Sequence, residues 1–327
     1  VFHQLAHDLY LPKGKNIIRR VVMFSNGPGV VPKSAASSQE QFDELLTALD
    51  IPLNTPAAEK LSILRRTPVD KLIDASLNVT HHQYRPWNDG QFVSKSLFED
   101  IDNGDFFRRM LDRNVRLMNG ECRDEHFLYG TWHTPSENSL ASLRQRLEVD
   151  YPREACSALI NLYYPDGKLP ANCADWQDAF GRIYADAQVH MLERGFVNAL
   201  ANTGAGHLVF RYRIEYRVKC VPLPPHWGVT HSSDVAMWFW GNGMLLEEDE
   251  KQIVSVALIE PLARFVRGEE DVRWTQQAQS EGEEGIRQVR RLRPDGQVDI
   301  WRDEMFDRGV KVWEAVRKAQ SAVTAKL

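Results

Sequence analysis

The 327-residue, 37.5 kDa chain is 43% hydrophobic and 26% charged, which excludes a disordered or fibrous protein and suffices for one large domain or two small ones. Its 40 Lys and Arg against 45 Asp and Glu leave a formal charge of -5, so charge gives no case for binding nucleic acid or an acidic membrane. Four cysteines, Cys122, Cys156, Cys173 and Cys220, are too sparse for a disulfide scaffold and leave the redox compartment open. The longest apolar candidates, such as residues 253–265, are broken by Glu260 and Pro261, so no transmembrane segment is expected.

Residues 1–10 read as the tail of a helix, stopped by Pro12 and Gly14, and residues 21–24 as a short strand covered on both faces, as in a parallel sheet with helical crossovers. The first residues carry neither Met nor a signal-peptide pattern, which suggests a cut below a larger upstream piece. Ser37 and Glu40 form a candidate capping box ahead of a helix with Phe42, Leu45, Leu46 and Leu49 on one face. Thr55-Pro56 and Thr67-Pro68 each pair a hydroxyl cap with Pro at the first helical position, turning Leu61, Leu64, Leu72 and Ile73 inward. Turns are expected at residues 86–90 and 102–104, and a brief apolar pattern at Val115, Leu117 and Met118.

A helix-rich insertion follows at 134–205. Thr134-Pro135 with Glu137 caps a stripe of Leu140, Leu143 and Leu147, Pro152 opens a second helix, and 175–201 is long and amphipathic. Residues 208–216 read as a strand, 249–265 as helix, 287–302 as strands around Pro294-Asp295-Gly296, and 306–322 as a closing helix. No repeat or interdomain linker appears, so residues 1–327 are expected to form one domain, incomplete at its N-terminal side.

Two loops carry chemistry-bearing residues: 120–127, with Glu121, Asp124, Glu125 and His126, and 228–234, with His231 and Asp234. In open α/β sheets such loops meet beyond the carboxyl ends of strands, where an acid can fix an imidazole tautomer while the other ring nitrogen takes a proton from a hydroxyl. Competing groups read as structural. His81-His82 and the pair His226 and His231 lack metal-ligand spacing, and 100–105 lacks the register of a calcium loop, so neither metal nor cofactor is expected. Arg287, Arg290, Arg291 and Arg293, after the acidic run 281–284, read as a solvated hairpin face.

Four segments, in order, resemble the C-terminal part of the type-B carboxylesterases, the family of cholinesterases and fungal carboxylesterase-like enzymes with the α/β-hydrolase fold. They are Ile18 to Gly27, like the strand after the nucleophile helix; Pro86-Trp87-Asn88-Asp89-Gly90; Gly120 with Asp124-Glu125 and Phe127; and His231-Ser232-Ser233-Asp234 running into Trp238-Phe239-Trp240-Gly241. The resemblance implies a C-terminal portion of an α/β-hydrolase, with a mostly parallel sheet, helices on both faces and the helical insertion. It implies Glu125 as the triad acid, His231 as general base and Asp234 as a supporting carboxylate; by their place in the sequence, Tyr129 and Trp132 just past the acid loop and Trp238 nearest the base are the candidate walls of the ester-binding pocket.

Three positions depart from the family pattern: His126 and Ser232 stand where Gly is frequent, and Asp234 where Glu is common. No Gly-x-Ser-x-Gly elbow or Gly-rich oxyanion loop occurs, so the expected partner is an N-terminal portion carrying the serine just ahead of Val1. On that view the true N-terminus is absent, and location is either cytoplasmic or secreted. The leading expectation is ester hydrolysis through an acyl-enzyme; its rivals are a neuroligin-like binding module and lyase, transferase or cyclisation chemistry on the same triad.

Overall fold

Alternation along the strands sorts their side chains onto two faces, and each face carries its own core. The computed structural model describes residues 1–32, 34–80, 82–86, 89–132, 134–241, 245–274 and 283–324. Five strands, β1 (Arg20–Phe24), β2 (Arg116–Cys122), β3 (Val209–Ile214), β4 (Gln288–Leu292) and β5 (Val298–Arg302), lie in sequence order in one sheet. β1 to β4 are parallel, and β5 returns antiparallel from the turn at Gly296. Register places Val21 beside Leu117 and Leu117 beside Val209 on one face, with Val22, Met118 and Phe210 on the other.

The first face is covered by α1 (Phe2–Tyr10), α5 (Leu97–Asp102), α6 (Asp105–Asp112), α8 (Leu140–Asp150), α9 (Arg153–Tyr163), α10 (Trp176–Ala185), α11 (Met191–Ala201) and α16 (Phe306–Thr324). The second is covered by α12 (Val235–Trp238), α13 (Glu248–Val254) and α14 (Glu260–Arg267), with the 216–229 loop. α2 (Ala35–Ala48), α3 (Ala57–Arg66) and α4 (Val69–Leu77) gather a separate small core around Leu45, Leu46 and Leu49. α7 (His126–Tyr129) and α15 (Glu283–Ile286) are single turns. The stretch 176–201 is one helical rod interrupted by a π segment, Asp186–His190; Ser255–Ile259 interrupts α13 and α14 in the same way.

Local chemistry shifts several expected boundaries. Ser34, not Ser37, caps α2, its Oγ accepting the Ser37 N–H at 3.2 Å. Pro56 and Pro68 are themselves the residues before α3 and α4, held in extended backbone. Thr67 donates back to the Ile63 carbonyl instead of capping. Leu61 and Ile73, expected inward, are half exposed, whereas Leu64 and Leu72 pack on the small core. Ser139 caps α8 in place of Thr134. α5 and α6, on either side of the turn at Gly104, were not anticipated. The residues Trp87 and Asn88 of the expected 86–90 turn, His81, and Glu281 of the acidic run lie outside the described residues.

The picture of a bare C-terminal portion is corrected, although β1 stands at the edge of the sheet and pairs with β2 alone among the described residues. Phe2, Leu5 and Leu9 of α1 are buried in the same core as Val312, Trp313 and Val316 of α16, so first and last helices share one packed α/β body. β1 buries Val21 and Met23, and Phe24 packs on Trp238 and Phe239. Val1 is the residue directly before α1. Among the described residues, no helix is long and apolar enough to cross a membrane. All four cysteines are free thiols.

A buried ionic layer joins the sheet to α11. Arg194 holds Glu121 of β2 through two bonds of 2.7 and 3.0 Å and Asp303 at 2.9 Å; Arg211 of β3 holds Glu193 at 3.2 Å and Asp303 at 2.6 Å; Arg213 adds a bond to Glu121. Gly195 next to it allows α16 to close in, since a Cβ there would lie 2.1 Å from Trp313 Cβ. Burial opposes ionisation of Glu121, but Arg194, His190 and Arg213 outweigh it and hold its carboxyl well below the usual range.

Removing the central cation leaves buried Glu121 with only Arg213 and buried Asp303 with only Arg211 as ion-pair partners among the described residues. Arg194→Met is expected to destabilise by about 3–5 kcal/mol in urea titrations at pH 7. The depressed Glu121 stabilises the fold above its unfolded value of about 4.5 and loses that contribution as pH falls through the lower folded value. The variant should therefore show a shallower acid loss than wild type; an unchanged pH slope would contradict the account.

Candidate active site

Two loops beyond the carboxyl end of β2 and after β3 are clamped to each other before any functional group is considered. The Asp124 N–H donates to the Val229 carbonyl and its Oδ2 accepts the Val229 N–H, both at 2.9 Å. Gly228 makes this approach possible: its φ is +60°, and a Cβ there would sit 2.1 Å from Asp124 Oδ2. Thr230 Oγ1 accepts the Leu128 N–H at 2.9 Å and donates to the Glu125 carbonyl at 3.3 Å.

That clamp sets Glu125 against His231. Glu125 Oε2 lies 2.6 Å from His231 Nδ1, and its Oε1 accepts the Cys122 N–H at 2.9 Å. The carboxylate is fully buried, whereas the imidazole side chain keeps 23% of its exposure. An ionised carboxylate only accepts, so Nδ1 carries the proton and Nε2 is left with a free lone pair. Asp124, the competing acid, is committed to Arg123 and Val229.

Around this pair the charges are ordered by burial. Burial pulls the His231 pKa down, but the hydrogen bond and charge of Glu125, then Asp234, raise it above 6.5. Asp234 is buried and pushed up to about 6, first by desolvation and then by Glu125; the Trp238 indole N–H, 3.0 Å away, opposes the shift. The Tyr129 hydroxyl stands 3.1 Å from Nδ1 and 3.3 Å from Nε2 with the rings tilted at 35°. Near-equal distances put the hydroxyl beside the ring rather than in line with one lone pair. Burial keeps that phenol neutral.

The other expected pocket residues part company. Tyr129 touches the imidazole. Trp238 is buried between Phe24 and Tyr212, each ring 5.0 Å away, so it braces Asp234 rather than lining an opening. Trp132 is half exposed just past α7, and Phe239 and Trp240 are also exposed. His226 is exposed, with its ring edge toward Phe127. Among the described residues, no three His, Cys, Asp or Glu side chains converge on a metal-holding position. The basic hairpin is structural: Arg287 pairs with Asp307, Arg291 with Asp299, and Arg290 binds backbone carbonyls.

Sequence reasoning missed what stands behind Tyr129. Tyr184 of α10 lies 5.1 Å from its ring, and Arg85 bonds both the Tyr184 hydroxyl and Asp150. Tyr184 was legible as a face of the amphipathic rod; Arg85, nearly a hundred residues away, carried no signal. Ser232 adopts φ +67°, the left-handed region its expected Gly would occupy without strain.

A profile of the Carboxylesterase family matches residues 6–293, and the chain belongs to the carboxylesterase family. Within the α/β-hydrolases this is a family of serine-hydrolase enzymes. It is 41% identical to a carboxylic ester hydrolase of Gibberella moniliformis, over 99% of this chain and 59% of that protein. It is 34% identical to an uncharacterized esterase/lipase of Schizosaccharomyces pombe, over 96% of this chain and 57% of that one. The crystal structure of Aspergillus niger EstA superposes with a TM-score of 0.67 at 17% identity, covering 97% of this chain and 62% of EstA, a likeness of fold. The chain thus spans somewhat under three-fifths of the length of these two curated relatives.

These matches correct the division of labour expected above. The family match and the relatives' alignments run almost end to end along this chain, and the fold extends from α1 to α16. Neither points to a separate N-terminal partner chain. The description of this chain as a bare supplier of His and Glu to a serine lying upstream is withdrawn with it.

The hydrogen bond and charge of Glu125 raise the His231 pKa above 6.5, so the imidazole is expected to hold its proton to higher pH than an ordinary histidine. Glu125→Gln should move that titration to lower pH, because the amide does not balance the imidazolium charge. Linkage gives the matching sign: the pair stabilises the fold below about 6.5 and loses that contribution as pH rises through the folded value. Titration of the His231 ring protons by NMR in both proteins measures the shift, and coincident curves would exclude Glu125 as the tuning acid.

Proposed function

We propose that the protein hydrolyses carboxylic esters, with His231 as general base and acid and Glu125 as the group that orients it. The observation that carries this reading is the 2.6 Å contact between a buried carboxylate and the Nδ1 side of a partly exposed imidazole. A hydroxyl presented to Nε2 loses its proton to His231 as its oxygen attacks the ester carbonyl. The imidazolium then returns that proton to the departing alkoxide, leaving an acyl-enzyme. Water, deprotonated by the same nitrogen, releases the acid.

Among the described residues, Nε2 meets the Tyr129 hydroxyl and no serine. The family relationship and the two esterase-named relatives support an ester as substrate. Tyr129 borders the reacting nitrogen, and the charge of Asp234, held by Trp238, helps to raise the His231 pKa; Trp132 is the exposed aromatic closest in sequence to Tyr129.

The test uses a short-chain activated ester and a fluorophosphonate that labels nucleophilic serines. His231→Ala is expected to lower kcat by at least ~10³ and to abolish labelling, and peptide mapping of the labelled wild type identifies the serine. Glu125→Gln should lose far more kcat/KM than Asp124→Asn, after correction for any loss of folded protein. Residual activity of His231→Ala within tenfold of wild type would overturn the base assignment; the reverse order of the acid variants would move the acid to Asp124.

A further inference from the structure

A cavity of about 710 Å³ opens between α9, the Asp186–His190 π segment and the start of α16, and neither Glu125, Tyr129 nor His231 lines it. Its wall is rich in cations. Its two acids, Glu121 and Asp186, are already engaged. Glu121 is consumed by Arg194 and Arg213 in the buried ionic layer. Asp186 accepts the Tyr163 hydroxyl at 2.6 Å and lies 3.4 Å from His190 Nδ1.

The cations at the mouth are less fully matched. Arg308 is half exposed, lies over the Tyr163 ring at 5.1 Å and approaches Asp186 only to 3.8 Å. Lys311, one turn further along α16, is exposed and forms no salt bridge among the described residues. Arg182 faces them from α10, its Nε on Asp178 at 2.9 Å and the rest of its guanidinium left over. Between them Leu162 and Met191 supply apolar wall.

We infer that this cavity is a binding site for a small polyanion, a molecule with at least two negative charges on carboxylate or phosphate oxygens, gripped by Arg308, Lys311 and Arg182. Guanidinium and ammonium groups on two facing helices, over an apolar wall, suit a short carbon skeleton charged at both ends, or a phosphate ester. His190 adds charge from the floor: burial opposes it, but Glu121 and Asp186 raise its pKa to about 9, so it is an imidazolium at neutral pH. The site is also wired to the acid loop, because His190 Nε2 bonds the Cys122 carbonyl at 3.0 Å and the Cys122 N–H holds Glu125.

Calorimetric titration at pH 7 with succinate and with inorganic phosphate, ionic strength fixed with chloride, tests the site independently of any esterase activity. At least one of the two should bind saturably with Kd on the order of 1 mM or tighter. The double variant Arg308→Ala/Lys311→Ala should weaken that binding at least ~10-fold. Both side chains are exposed, so the fold should tolerate the change. Arg65→Ala, on exposed α3, should leave binding unchanged. Preference for succinate assigns a dicarboxylate, and preference for phosphate assigns a phosphate ester. Absence of saturable binding by either anion, or equal binding by the double variant and wild type, would overturn the inference.

Discussion

The layer of buried charge between the sheet and α11 is the constraint on which the rest depends. Glu121, Arg194, Arg211 and Asp303 come from β2, α11, β3 and the turn after β5, and each has its partners on a different element. Such a layer adds little net stability compared with apolar packing, but a misregistered strand would leave a charge unmatched in the interior. It fixes where β2 ends. One residue beyond Glu121, Cys122 offers its N–H to Glu125, so the position of the acid follows from a register set by ions on the opposite face of the strand.

From that fixed point the site is assembled by backbone geometry more than by side-chain attraction. Gly228 lets one loop fall onto Asp124, Thr230 fastens it to α7, and His231 arrives with a carboxylate already waiting. The two adjacent acids divide the work by direction. Asp124 turns outward to hold the neighbouring loop, and Glu125 turns inward to the imidazole. Burial of Asp234 near Glu125 raises its carboxyl to about 6, so it takes up a proton in mildly acidic solution and adds its charge to the histidine above that.

How much of this the sequence disclosed varies with the range of the interaction. Residues 21–24, 208–216 and 287–302 were recognisable as strands because β-branched residues and turn signals act within a few positions. The 175–201 rod was recognisable by its apolar stripe. The pairing of Glu125 with His231 was legible through family-like motifs rather than spacing, since the clamp through Asp124 and Thr230 spans more than a hundred residues. Caps shifted by a few positions where several Ser and Thr competed, and α5 and α6 were hidden because their acidic and aromatic residues resemble loop chemistry. The expectation of an incomplete body failed because a missing motif was read as a missing surface, whereas α1 and α16 close on a shared core.

The π segment at Asp186–His190 has a consequence for how this fold tolerates change. One wide turn inserts a residue into the rod without lengthening its track, so the helix before and the helix after it are out of phase by about 100°. Tyr184 can thereby present to Tyr129 while Arg194 presents to the sheet, two obligations an unbroken rod of this length would have to meet on a different set of positions. Insertions and deletions elsewhere on the surface cost loop length; here a single deleted codon would alter the phase of everything downstream in the rod. The segment is a point where the reading frame of the helix, rather than the identity of any one side chain, is under constraint.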